Sequence, residues 1–207
     1  MPYNGNIDTE LLLSSLACSS FYQAKSSCYL YEQKKIKTKD SEIIDIFAKG
    51  ASTMLLATYS FLQADSYNAY FSLSLIFHSI GDVIIEIPDD KAIYYSMSVF
   101  FIGHVLNTNH LNQSIDINSK AEFALIITGI GLIGAIMGSY ITLKSKPPVK
   151  YIIPFYACAL TCMLMSASLQ KNKQSYFALS AAFYILSDFM IGYHNFVEQI
   201  PINLSST

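Results

Sequence analysis

The 207-residue sequence contains no tryptophan, and all 13 of its basic residues are lysine. Charge of either sign is scarce, at 14% of residues, against about 25% in ordinary soluble domains. A formal net charge of −2 leaves no basic stripe, so nucleic acid is not an expected partner. None of the four cysteines forms a C-x-x-C pair. Cys18 and Cys28 share one apolar run and Cys158 and Cys162 another, where free cysteine behaves as a small apolar residue. No linker is long enough to separate two domains, and no internal repeat stands out. A signal peptide is not expected either, because Asp8 and Glu10 precede the first apolar run where basic residues would be needed.

Apolar residues, by contrast, make up 52% of the chain, and the mean hydropathy is +0.35. They gather into seven runs of about 20 residues, the length that crosses a bilayer as a helix. The runs cover roughly 11–31, 44–63, 68–87, 92–110, 121–143, 150–169 and 175–196. The expected fold is therefore all-α, a polytopic membrane bundle of about seven transmembrane helices, with residues 1–207 as one domain. With the N-terminus outside, the inner links hold Lys34, Lys35, Lys37, Lys39, Lys91, Lys144, Lys146 and Lys150. The outer links then hold Lys120, Lys171 and Lys173. That imbalance favours a cytoplasmic C-terminus under the positive-inside rule. Tyrosines near the run ends, among them Tyr29, Tyr67, Tyr94, Tyr140 and Tyr193, supply an interfacial aromatic belt without tryptophan. Lysine without arginine leans towards an AT-rich bacterial genome, and so towards a bacterial inner membrane.

One motif misleads. "GIGLIG", Gly129 to Gly134, matches a dinucleotide fingerprint that has meaning only between a strand and a helix. Here it lies inside an apolar run and overlaps "GAIMG", Gly134 to Gly138, a spacing that lets membrane helices approach closely. Helix packing is the expected role.

The ionisable residues inside the runs carry the chemistry. A charge at the centre of a membrane helix costs roughly 2.5–3.5 kcal/mol on insertion scales, so such residues are rare and tend to meet inside the bundle. They are His78, Asp82 and Glu86 on the third run, His104 on the fourth, and Asp188 and His194 on the seventh, with Lys49 near the start of the second. His78, Asp82 and Glu86 stand at i, i+4 and i+8, on one helical face. At about 1.5 Å per residue, Asp82 and Asp188 lie roughly 20 and 18 Å from the outer end of their runs, at nearly one depth. Two carboxylates at one depth in a low-dielectric site cannot both ionise easily, which leaves an acid beside a base. That division suits acid-catalysed hydrolysis through an oxocarbenium-like state. A structural role, capping backbone or pairing with lysine, is the alternative for both. His78 and Glu86 read as structural or interfacial, His194 as interfacial, and Lys49 as snorkelling to head groups or binding a lipid phosphate.

"GDVIIE" at Gly81–Glu86, "FFIGH" at Phe100–His104, "YIIPFYACALTCMLM" at Tyr151–Met165 and "AAFYILSDFM" at Ala181–Met190 together resemble the lysoplasmalogenase (YhhN-like) family of membrane proteins, over roughly residues 45–196. The resemblance implies a hydrolase acting on the vinyl ether bond of lysoplasmalogens. Its products would be a fatty aldehyde and a glycerophospho-head group. By motif position Asp82 and Asp188 would be the catalytic carboxylates, and His104, Lys49, Asn107 and Tyr184 would line the pocket. No metal or redox cofactor is implied, and the partners are a lysophospholipid substrate and membrane lipids. The chain departs from the family pattern at Lys49-Gly50, where Lys-Pro is usual, and at Asn107, where a tyrosine is frequent. The family pattern also continues into an eighth helix, whereas "VEQIPINLSST" is too short and too broken by Pro201 to cross a membrane.

Two other classes remain open on the residues alone. A zinc-dependent seven-span lipid amidase would draw ligands from His78, Asp82, His104 and His194. A small-molecule transporter or lipid-binding protein would use the paired acids as a proton relay, although neither inverted repeats nor broken helices are visible.

Overall fold

A computed structural model describes residues 39–62, 69–87, 89, 91–115, 120–170 and 175–198. Six α-helices fill most of them: α1 (Lys39–Leu62), α2 (Ala69–Ile85), α3 (Ala92–Asn112), α4 (Lys120–Lys144), α5 (Val149–Ser168) and α6 (Ser175–Tyr193), which continues as a π turn, His194–Glu198. The six runs expected over these residues are all helices. The expected run at 11–31 lies outside the described residues. Among the described residues α4 and α5 are long and apolar enough to cross a membrane, while α2 is apolar but shorter. The helices fall into two compact units that divide between His110 and Leu111, near the end of α3.

In the first unit the helix contacts run antiparallel. Between α1 and α2, Lys49 meets Glu86, Thr53 meets Asp82 and Ser60 meets Ser72, one residue number rising as the other falls. Between α2 and α3 the same reversal holds, with Phe71 against His110, His78 against His104 and Gly81 against Phe100. Small residues make these approaches possible. A Cβ at Gly50 would strike the Val83 side chain, and one at Gly81 would lie 2.5 Å from the Phe100 ring. The Ser79 hydroxyl donates to the Gly50 carbonyl at 2.7 Å, which ties the two helices together at this approach.

The buried face of α2 is Ser72, Ser74, His78, Ser79 and Gly81, without one large aliphatic side chain. Leu73 and Ile80 on the same helix are exposed instead. This inverts the amphipathic helix of a soluble protein, which turns its apolar stripe to the core. It is the arrangement expected where hydrocarbon is the solvent, because apolar side chains then gain nothing by turning inward and polar ones must find partners.

In the second unit α4 and α5 pack along a seam of small residues. Gly131 faces Met165, Gly134 faces Thr161 and Gly138 faces Ala157, again in antiparallel order. A Cβ at Gly134 would collide with Thr161, and one at Gly138 would lie 2.8 Å from the Ala157 Cβ. The glycines of the apparent nucleotide motif therefore sit mid-helix, and two of them pack against a neighbouring helix. Meanwhile Leu125 and Leu143 are each 75% exposed. A small core of Leu111, Leu160, Met163, Ala167 and Ala181 joins the end of α3 to α5 and α6. Gln170, just past α5, closes this end by donating to the Leu111 carbonyl at 2.9 Å and the Ser166 carbonyl at 2.7 Å. The Ser166 hydroxyl donates to Asn112 Oδ1 at 2.7 Å.

Replacing Gly134 with leucine should separate α4 from α5 and cost about 1–3 kcal/mol, the usual range for overpacking. Gly129, whose added Cβ would meet nothing within 4 Å, should accept alanine with no loss. Unfolding of both variants in detergent measures the difference, and equal shifts would refute the seam.

Candidate active site

Asp82 lies on the face of α2 turned to α1, because i, i+4 spacing puts it one turn from both His78 and Glu86. The antiparallel α1 matches that spacing with Lys49 and Thr53, also one turn apart. The result is a two-rung polar ladder. Lys49 Nζ and Glu86 Oε1 form an ion pair at 2.9 Å, their side chains 23% and 19% exposed. The Thr53 hydroxyl donates to Asp82 Oδ2 at 3.0 Å. Asp82 is half-buried, so this carboxylate keeps a hydrogen-bond donor without being sealed off.

The sequence suggests that Lys49 reaches head groups or a phosphate. In the structure its ammonium is held by Glu86, a residue that reads from sequence as structural or interfacial. An ion pair of this kind brings no net charge into the helix interface. It also holds the α1 and α2 faces in register beside Asp82.

One turn further along α2, His78 packs against α3. From sequence His78 reads as structural or interfacial, with no link to His104. The antiparallel crossing instead brings their rings to a centroid separation of 4.8 Å at an interplanar angle of 70°. Both are buried, His104 completely. The antiparallel register that sets Phe71 against His110 and Gly81 against Phe100 puts His78 and His104 at one level. Asn107 follows His104 by three residues on α3 and is half-buried.

The second unit carries the other expected residues. Asp188, on α6, accepts a hydrogen bond from the Tyr156 hydroxyl of α5 at 2.6 Å and is half-buried. Tyr184 lies one turn before Asp188 on the same helical face and is 36% exposed. Sequence reasoning misses both Tyr156 and Thr53. Thr53 could have been found from the i, i+4 match of Lys49/Thr53 to Glu86/Asp82. Tyr156 stands in the "PFYACAL" segment, and no spacing rule points from it to Asp188.

Two features do not join this set. A groove of about 560 Å³ runs beside the α4–α5 seam, lined by residues such as Gly134, Thr142, Cys158 and Cys162, and it holds none of the expected site residues. Among the described residues, no three His, Cys, Asp or Glu side chains gather closely enough to hold a metal ion. Of the four ligands a zinc site would draw on, His78 and His104 meet; the side chain of His194 lies outside the described residues.

Apolar helices α4 and α5, exposed aliphatic side chains and polar interhelical seams point to a helical membrane protein. Residues 44–205 match the model of the YhhN family, and the chain belongs to that family. No curated protein and no solved structure matches the chain significantly.

Removing one partner of the Lys49–Glu86 pair should take a close counter-charge from the other in a half-buried site. Lys49→Met and Glu86→Leu should each destabilise by about 1–3 kcal/mol. The double variant should lose less than the sum of the two. A thermodynamic cycle of detergent unfolding reads the coupling, and strict additivity would show that the pair contributes nothing.

Proposed function

We propose that this protein is a membrane-embedded lysoplasmalogenase, which hydrolyses the vinyl ether bond of lysoplasmalogens to a fatty aldehyde and a glycerophospho-head group. Membership of the YhhN family is the observation that carries the reading. In this proposal seven helices cross a bacterial inner membrane, with the N-terminus outside and the C-terminus in the cytoplasm.

The chemistry asks for few groups. A proton is added to the vinyl carbon β to the ether oxygen, which leaves an oxocarbenium ion. Water adds to the cationic carbon and loses a proton, and the hemiacetal collapses to the aldehyde and the freed glycerol hydroxyl. Two roles need filling, a proton donor and a carboxylate that stabilises the cation and orients water. Asp82 and Asp188 are the candidates. Each accepts a hydrogen bond from a neutral hydroxyl, Thr53 or Tyr156, and these bonds would hold the carboxyl groups in a fixed orientation. His104, Lys49, Asn107 and Tyr184 would contact the lysolipid. Neither a metal nor a redox cofactor enters these steps.

The test is aldehyde release from a lysoplasmenyl lipid by the detergent-purified protein. Asp82→Asn and Asp188→Asn should each lower kcat/KM by at least about 100-fold, in line with the loss of a general acid–base group. A chelator should change nothing. Absence of aldehyde from folded wild type would end the enzyme reading and favour a lipid-binding or transport role. Loss of aldehyde release with the chelator would show that a bound metal takes part in the hydrolysis.

A further inference from the structure

The groove beside the α4–α5 seam holds neither carboxylate, yet its walls are in register. On α5 it is lined by Pro154, Cys158, Cys162 and Met165, at i, i+4, i+8 and i+11, which keeps to one helical face. On α4 it runs from Gly131 to Leu143, with Ala135 and Ser139 exposed along it. At 1.5 Å per residue that stretch is roughly 18 Å long. One leaflet of a bilayer has a hydrocarbon depth of about 15 Å, half of the core. No charged side chain among the described residues lines the groove. Its length and its lining therefore suit one alkyl chain laid along the helices.

Positive charge gathers at one end of it. Lys144 follows Leu143, Lys146 stands in the link, and Lys150 lies one turn before Pro154 on the groove face of α5. All three are exposed, and no acidic side chain among the described residues pairs with them. The link that carries them is tied down. The buried Ser145 hydroxyl donates to the Ile141 carbonyl at 2.7 Å, and the Lys150 N–H donates to the Lys146 carbonyl at 3.2 Å. Lysines just beyond the hydrocarbon attract anionic head groups. A chain that fills the groove over one leaflet's depth brings its phosphate to that level.

We propose that the α4–α5 groove seats one acyl chain of an anionic phospholipid, whose phosphate rests against Lys144, Lys146 and Lys150. The groove accepts the chain and the lysines choose the head group. A zwitterionic head group brings its own ammonium towards the same lysines, and that repulsion offsets much of the attraction to its phosphate. A free phosphate ion has no chain to fix it at the mouth of the groove. The site lies within one helix pair and uses neither Asp82 nor Asp188, so it stands apart from the proposed reaction.

Cys158 and Cys162, both exposed in the groove, report its occupancy. Delipidated full-length protein in a non-ionic detergent is treated with N-ethylmaleimide, and alkylation of the two thiols is followed by peptide mass spectrometry. Phosphatidylglycerol should slow their alkylation at a concentration about tenfold below the phosphatidylcholine needed for the same effect. Inorganic phosphate should leave the rate unchanged. The combined variant Lys144→Gln, Lys146→Gln and Lys150→Gln should need at least about tenfold more phosphatidylglycerol than wild type. A control with the same loss of charge in the other links, Lys120→Gln, Lys171→Gln and Lys173→Gln, should behave as wild type. Equal protection by the two lipids, or an unaltered response in the first variant, overturns the head-group site. Protection by inorganic phosphate shows an anion site without a lipid and overturns the proposal. Thiols that resist alkylation before any lipid is added show a groove filled by the chain itself, and overturn it too.

Discussion

Close approach of helix backbones is the constraint from which the rest of this structure follows. Between α1 and α2 it depends on Gly50, between α2 and α3 on Gly81 and Gly103, and between α4 and α5 on Gly134 and Gly138. Where hydrocarbon is the solvent, no hydrophobic force draws helices together, and association falls to van der Waals contact and interhelical hydrogen bonds. Both grow as the backbones close in. The serines use that proximity directly, as when Ser79 reaches the Gly50 carbonyl and Ser74 the Gly103 carbonyl.

The same closeness places the ionisable groups. Once α1 and α2 are in antiparallel contact, two residues one turn apart on each helix must face one another, and the ladder of Lys49 with Glu86 and Thr53 with Asp82 results. Neutralising Lys49 with Glu86 lets two charged groups remain at an interface that a lone charge would oppose. Asp188 is met differently, by the phenol of Tyr156. Both carboxylates are thus oriented by uncharged hydroxyls and kept half-buried. A hydroxyl donor fixes the direction of a carboxylate without cancelling its charge.

The helices were legible because their signal is one-dimensional. Runs of apolar residues with polar links mark them within a few residues, as in the expected 121–143 against the observed Lys120–Lys144. The packing role of the Gly134–Gly138 spacing was legible for the same reason, since three intervening residues return to one helical face. His78 was not. Its place depends on which face of α3 crosses α2, and at what height, and nothing in the spacing along α2 carries that information. Glu86 as the partner of Lys49 was hidden similarly, 37 residues away in the chain.

Composition and periodicity by themselves determined an all-α chain with helices suited to an apolar solvent, and they singled out Asp82, Asp188, His104 and Lys49 as residues out of place there. These are local properties, set by side-chain polarity and a 3.6-residue period. Only the tertiary structure decided the partners: Glu86 for Lys49, Thr53 for Asp82, Tyr156 for Asp188 and His78 for His104. Partnership depends on the crossing of separate helices, and that crossing is set where glycine and serine let two backbones touch.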